Sequence, residues 1–265
     1  MVPKNSREWD SAAYERVSAP QFSWGQKVLD RLRVRGDEIV LDAGCGTGKL
    51  TAELLARLPR GKVIAVDLSQ NMIRTAREKL LEQFPTRISF VAADLQHLPF
   101  DSLFDGIFST AAFHWVPDHN LLFRSLRQAL RPGGWLLAQS GGAQNLQRLL
   151  TRVDTLARVP KYAAHLRSYR HPWVYPDADA AAGRLRDAGF ENVETGLVPA
   201  PTPFLNAADY REFVSKVILH RFLENFPDDT IRQQFLNELV TQAANDDPPF
   251  ELDYWRLNLQ GRRPV

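Results

Sequence analysis

From residue 38 to residue 140 the chain alternates short apolar, β-branched runs with longer stretches whose apolar residues recur every three to four positions. That alternation is the mark of βαβ units, each a strand, a crossover helix and a parallel strand. Glu38–Ala43 (EIVLDA), Lys62–Asp67 (KVIAVD), Ile88–Ala93, Phe104–Ser109 and Trp135–Gln139 read as five strands. Residues 48–58 set Leu50, Leu54, Leu55 and Leu58 on one helical face, and Ser69 stands at an N-cap position before Met72, Ile73, Ala76 and Leu80. His119–Leu130 reads as a third helix, separated from the fifth strand by the turn Arg131–Gly134. The strands are apolar without alternation, so the sheet is predicted to be covered on both faces.

The pattern changes after Ser140. Residues 143–175 hold no strand-like run and carry Arg148, Arg152, Arg158, Lys161, Arg167 and Arg170 against one acid, Asp154. A helix over Ala178–Ala188 with Gly189 as its cap, a strand near Asn192–Val198, a helical stretch over 206–244 and a last strand over Tyr254–Gln260 follow. The expected class is therefore α/β, one domain over 1–265. Its core is 30–142 and 176–265, with 143–175 and 200–248 as helical additions capping one end of the sheet.

Composition narrows the function classes. A length of 265 residues fits one or two domains, and 44% hydrophobic with 24% charged residues is ordinary globular chemistry. The 33 Lys and Arg against 31 Asp and Glu leave a formal charge of +2, which gives no reason to expect a nucleic-acid or membrane-surface partner. The single cysteine, Cys45, excludes an internal disulfide and a multi-cysteine metal site, and no metal is expected. The polar start MVPKNSREWD has no apolar h-region and no run approaches ~18 apolar residues, so the expected location is cytoplasmic.

The candidate chemistry begins at Asp42-Ala43-Gly44-Cys45-Gly46-Thr47-Gly48. A phosphate-cradling P-loop is rejected, because its first glycine would fall on Ala43 and its hydroxyl on Leu50. A dinucleotide fingerprint is weakened, because its third glycine would fall on Lys49. What is present is D-x-G-x-G-x-G after a strand, followed by two more apolar strands that each end in an acid, Asp67 and Asp94. An acid about twenty residues past the glycines is placed to accept hydrogen bonds from a ribose diol, and capping the next helix is its structural alternative.

Through these spaced motifs, residues 37–141 resemble the large family of S-adenosylmethionine-dependent methyltransferases with a Rossmann-like, mostly parallel seven-stranded sheet. The resemblance implies S-adenosyl-L-methionine as cofactor, with Asp42, Gly44 and Gly46 at its methionine end, Asp67 at the ribose, and Asp94 and Leu95 at the adenine. Leu68 and Met72 would flank the adenine ring, with a plain core role as the alternative for Met72. Tyr14 would fold over the cofactor from an N-terminal helix, or else be a surface tyrosine.

The fourth strand runs into Thr110–His119, and the segment Phe113-His114-Trp115-Val116-Pro117-Asp118-His119 is similar to that of the trans-aconitate methyltransferase group. Trp9, Asp10, Tyr14 and the closing Trp255-Arg256-Leu257 also look like that group. The resemblance implies methylation of a carboxylate of a small organic acid, with no nucleic acid or membrane involved. A carboxylate is ionised at neutral pH and needs no base, only desolvation and in-line orientation. The candidate acceptor pocket is Phe113, His114, Trp115, Arg167, Arg170 and Arg221. Three alternatives remain open: a hydroxyl or amine acceptor with His114 as catalytic base, an NAD(P)-dependent oxidoreductase, and a non-catalytic cofactor-binding protein. The oligomeric state is not legible.

Overall fold

The computed structural model describes residues 8–166 and 169–265. Helices α1 (Ser11–Val17) and α2 (Ala19–Leu29) precede the first strand; the second has no counterpart in the sequence pattern above. The alternating region then runs β1 (Ile39–Ala43), α3 (Lys49–Arg57), β2 (Lys62–Asp67), α4 (Gln70–Leu80), β3 (Ile88–Ala92), β4 (Phe104–Thr110), α5 (His119–Ala129) and β5 (Leu130–Gly141). The fifth strand starts five residues earlier than its apolar run, because Phe104 on β4 already pairs with Leu130. The expected turn at Arg131–Gly134 is taken up as an irregularity within that ladder.

Beyond β5 come α6 (Gln147–Ala157), α7 (Pro160–Leu166), α8 (Ala178–Asp187), β6 (Glu191–Pro199) and β7 (Thr202–Pro203). These are followed by α9 (Ala207–Phe213), a π-helical turn over Val214–Ile218, α10 (His220–Leu223), α11 (Asp229–Ala243), β8 (Glu251–Leu252) and β9 (Trp255–Arg262). Seven strands form one sheet in the order β3-β2-β1-β4-β5-β9-β6, and β7 pairs with β8 apart from it. The strands β3, β2, β1, β4 and β5 are parallel, while β9 runs antiparallel to both β5 and β6. The α/β reading, with a mostly parallel seven-stranded sheet covered on both faces, therefore holds.

Neighbouring residues on one strand feed opposite layers, which is why these strands read as continuous apolar runs. Val40, Val63, Ala65 and Phe108 pack with Val28, Leu29, Leu54 and Leu55 on the α2–α3 side. Leu41, Val66 and Ile107 pack with Leu122, Phe123, Leu126 and Leu185 on the α5–α8 side. A third cluster belongs to the cap, where Leu149, Val153, Tyr162, Phe213, Phe222, Phe235 and Leu239 meet around fully buried aromatic rings. Helix starts follow their caps: Ser69 accepts from the Met72 N–H, Asp118 from Asn120 and Leu121, and Asp177 from Ala180.

Strand order reverses between β1 and β4, so a crevice opens beyond their carboxyl ends. The glycine loop, Asp67, Asp94 and Thr110 all lie at that edge of the sheet. Among the described residues no helix is long and apolar enough to cross a membrane.

Candidate active site

The crevice is a cavity of ≈ 400 Å³, within the range of small-molecule sites, and its lining includes Gly44, Gly46, Asp67, Leu68, Met72, Asp94, Leu95, Trp115 and Arg221. Two smaller cavities adjoin it. One of ≈ 40 Å³ lies between Trp115 and the cap and reaches His114, Tyr175, Tyr254 and Arg256. The other, of ≈ 50 Å³, lies beneath the glycine loop and reaches Asp42, Thr47 and Lys49. Tyr14 and Ala111 border all three.

The loop is held in place by backbone bonds from Gly44 and Cys45 to the Val66 carbonyl, at 2.8 and 3.0 Å. Gly44 has φ +88°, and a β-carbon there would come within 2.2 Å of the Ala112 methyl. Gly46 has φ +54°, but a β-carbon there would meet no protein atom within 4 Å; that space belongs to the cavity. Cys45 is buried, and burial together with Asp67 and Asp42 pushes its thiol well above its ordinary value, so it is an inert wall residue.

Asp67 does not cap α4, since Ser69 does. Its Oδ2 accepts from the Gly46 N–H at 3.0 Å and its Oδ1 from the Ser69 N–H at 2.9 Å. A carboxylate has about four lone-pair sites, so both oxygens keep acceptor capacity toward the cavity. Burial raises its pKa, with the Ser69 and Gly46 donors opposing. Asp94 accepts from the Gln96 backbone N–H at 3.0 Å and from the Gln96 side-chain amide. Leu68, 41% exposed, stands on the cavity lip beside Asp67, whereas Met72 is buried and faces the same space. Asp42 accepts from the Thr51 hydroxyl at 2.6 Å, and burial pushes its carboxyl up to about 7. It faces the recess beneath the loop rather than the main cavity.

The N-terminal segment closes the outer wall. Glu8 sits at the start of α4, accepting from the Asn71 and Gln70 N–H groups and the Ser69 hydroxyl. Glu15 pairs with Lys79 at 2.8 Å and Lys49 at 3.3 Å and accepts from Thr47. Between these anchors Trp9 packs edge-on to Trp115, centroids 4.9 Å apart, and against His220 at 4.5 Å. Tyr14 packs on Trp9 at 5.8 Å, and burial pushes its phenol up to about 12, so it remains neutral.

A model of the family described as "Methyltransferase domain" matches residues 40–134. The chain is 33% identical over 252 residues to the trans-aconitate 2-methyltransferase of Afipia carboxidovorans, covering 91% of this chain and 92% of that one. It is 32% identical to the trans-aconitate 2-methyltransferase of Methylobacterium nodulans, covering 97% and 98%. The chain belongs to the S-adenosylmethionine-dependent methyltransferases. Its fold matches that of Haemonchus contortus phosphoethanolamine N-methyltransferase 2 in complex with S-adenosyl-L-methionine, with TM-score 0.63 and 18% identity over 96% of this chain and 57% of that one.

The methyltransferase is an enzyme for small-molecule acceptors with S-adenosylmethionine as its cofactor, which sets aside the oxidoreductase and the non-catalytic readings. The site fits that cofactor: an open cradle over Gly46, acids at two strand ends and an apolar lip. Lys49, the residue that weakened the dinucleotide pattern, begins α3 and donates to the Glu15 carbonyl at 2.7 Å.

On the acceptor side the structure redraws the expected pocket. Phe113 is 1% exposed and packs on Phe123 in the sheet core, because the short helical turn it opens points it inward. Arg170 is exposed and donates to the Tyr169 carbonyl, away from every cavity. Arg167 lies outside the described residues. His114 reaches only the smaller inner cavity, and its Nδ1 accepts from the Gly141 N–H at 3.3 Å, so its proton resides on Nε2. Burial, with Arg256 and His119 nearby, holds its pKa well below the ordinary value. This imidazole is a neutral donor, and the catalytic-base role does not fit it.

Trp115 and Arg221 do face the main cavity. The Arg221 guanidinium lies 5.5 Å from the Trp115 ring centroid and 6.0 Å from that of Trp9, with its Nε buried and unpartnered. Its guanidinium makes no ion pair among the described residues.

Three other basic residues of the cap are spent on structure. Arg148 pairs with Glu251, Arg152 with Asp246 and Lys161 with Glu238. Not anticipated from sequence were Trp9 and Gln96 as cavity walls, and Arg256 as a buried cation at the end of the inner cavity. The resemblance around Trp255-Arg256-Leu257 was a signal for the last of these, but nothing local marked its side chain as buried.

Proposed function

We propose that this methyltransferase esterifies a carboxylate of a small di- or tricarboxylic acid. The observation that carries the reading is Arg221, a half-buried guanidinium facing the cavity that makes no direct ion pair among the described residues and has only the more distant Glu224 as a protein carboxylate nearby. Isolated charges are rarely buried without a partner, so an anionic ligand is the natural complement. The names of the Afipia and Methylobacterium relatives, trans-aconitate 2-methyltransferases, support a polycarboxylic acid.

When bound, S-adenosylmethionine supplies a methyl group on a positively charged sulfur, open to in-line attack by a nucleophilic oxygen. In this reading Asp67 holds the ribose diol, Asp94 and the Leu95 backbone read the adenine, Leu68 and Met72 sandwich it, and Gly44 and Gly46 accommodate the methionine end, while Asp42, expected there from the sequence, supports the loop from the recess beneath it through Thr51. Tyr14 and Trp9 exclude water above it. Arg221 orients the acceptor carboxylate, with its charge delocalised against Trp9 and Trp115. No proton has to be removed, which agrees with a His114 that cannot serve as base.

The test is a labelled-methyl assay across mono-, di- and tricarboxylic acids, phenols and amines. Label released as methanol by mild alkali identifies an ester. Label retained in an alkali-stable product would refute carboxylate transfer.

A further inference from the structure

Arg256 lies on β9 where that strand crosses between β5 and β6, opposite Gly141 and Val198. It is 4% exposed, its Nε has no partner, and none of its nitrogens donates a hydrogen bond or forms an ion pair within the described residues. Among the described residues its compensating contact is the Trp24 ring, 4.6 Å from the guanidinium carbon. Tyr14, Tyr175 and Tyr254 surround it, but burial raises all three phenols, so none supplies a negative charge at neutral pH. Arg256 itself, lowered to about 10 by burial, stays protonated there.

The space in front of this cation is the inner cavity of ≈ 40 Å³. At about 10–15 Å³ per water, it has room for one carboxylate group. Gln21 and His114 also line this space, and the His114 Nε2–H is a donor a carboxylate can use there. The cavity meets the main one along Trp9, Tyr14, Ala111 and Trp115. Arg256 borders the inner cavity and Arg221 the main one, so an acid lying across their junction would meet both arginines.

We propose that Arg256 is the specificity-determining residue of the acceptor site, holding a second carboxylate of the acid in the inner cavity while Arg221 orients the carboxylate that is methylated. The inference rests on the carboxylate reading above and deepens it, since it says which residue separates diacids from monoacids. It also makes a statement about stability. A buried cation without a counter-ion destabilises the ligand-free protein, so its removal is expected to be harmless or favourable to folding.

The experiment compares wild type, Arg256→Met and Arg256→Lys. Three readouts are taken: ligand-free melting temperature, calorimetric binding of S-adenosylhomocysteine, and kcat and KM for the best diacid and for its monoacid analogue. Arg256→Met is expected to melt no lower than wild type and to bind S-adenosylhomocysteine within twofold. Its KM for the diacid should rise about 10- to 100-fold, the loss of one charge-assisted contact, with the monoacid unchanged. Arg256→Lys should recover part of the diacid affinity.

Equal changes for diacid and monoacid, or none for either, would overturn the assignment. So would a lowered melting temperature accompanied by lost S-adenosylhomocysteine binding, which would make Arg256 structural. If Arg256→Met fails to fold, the diacid-to-monoacid ratio of Arg256→Lys decides the matter by the same criterion. Should wild type esterify no acid at all, the carboxylate reading is what fails. Direct calorimetry of diacids on the S-adenosylhomocysteine complex, wild type against Arg256→Lys, then reads the anion site by itself, and identical affinities would end it.

Discussion

Gly44 and Gly46 share a loop and a left-handed backbone, yet alanine at the two positions should fail in different ways. At Gly44 a methyl would come within 2.2 Å of the Ala112 β-carbon, at φ +88°. Overpacking of about 1–3 kcal/mol adds to left-handed strain of about 1–2 kcal/mol. Gly44→Ala should therefore lose about 2–5 kcal/mol of folding stability. At Gly46 the strain is similar, but the methyl enters space that no protein atom occupies. Gly46→Ala should lose only about 1–2 kcal/mol, or roughly 2–8 °C in Tm at 2–4 °C per kcal/mol. If that space is the cofactor's, the same methyl displaces the ligand. A loss of about 3 kcal/mol would weaken binding on the order of 100-fold. Thermal melting and calorimetry with S-adenosylhomocysteine measure the two quantities separately. Retained cofactor affinity in a folded Gly46→Ala enzyme would refute the reasoning and move the cofactor off the glycine loop.

Other expectations follow from the same geometry. Asp67→Ala removes the acceptor of the Gly46 and Ser69 N–H groups along with the proposed ribose contact, so S-adenosylhomocysteine should bind about 10- to 100-fold more weakly by calorimetry. The Asp42 carboxyl is raised to about 7 by burial, so its contribution to stability is present below pH 4 and lost as pH rises through 7. Urea denaturation should accordingly show Asp42→Asn gaining on wild type between pH 4 and pH 8, and a constant difference would contradict the assignment. With an already ionised acceptor and a His114 that stays neutral, the single-turnover rate should be flat from about pH 6 to 9. A rise through an ionisation near neutrality that persists in Asp42→Asn would point to a base. Glu15→Ala unties α1 from Lys49 and Lys79; partly exposed pairs are worth little each, so Tm should fall by only a few degrees while proteolysis within residues 8–17 accelerates.

The cofactor side was legible because its signals are local. Asp67 and Asp94 announce themselves as acids ending apolar strands, and Gly44 and Gly46 as glycines in a strand-to-helix turn. The acceptor side depends on pairing across long separations. The six basic residues of 143–175 looked like a reservoir of anchors, but Arg148, Arg152 and Lys161 find acids 77 to 105 positions away. Conversely, Arg256 looks like any charged residue on an edge strand until β9 inserts between β5 and β6 and seals it. His114 carried the right residue type in the right loop. Its hydrogen bond to Gly141, a residue of the neighbouring strand, decides its tautomer, and no local pattern encodes that bond.

The cap aromatic cluster is built on a set of side chains separate from the two layers flanking the sheet. On the acid reading, acceptor recognition draws on Arg221 of the cap and Arg256 of β9, and its space meets the nucleoside side along Trp9, Tyr14, Ala111 and Trp115. Selection, or a designer, can rewrite the cap around Arg221 and the single position 256 on β9 to change which molecule is alkylated and leave the donor half untouched. The seam at Trp115 is where such grafts would have to match.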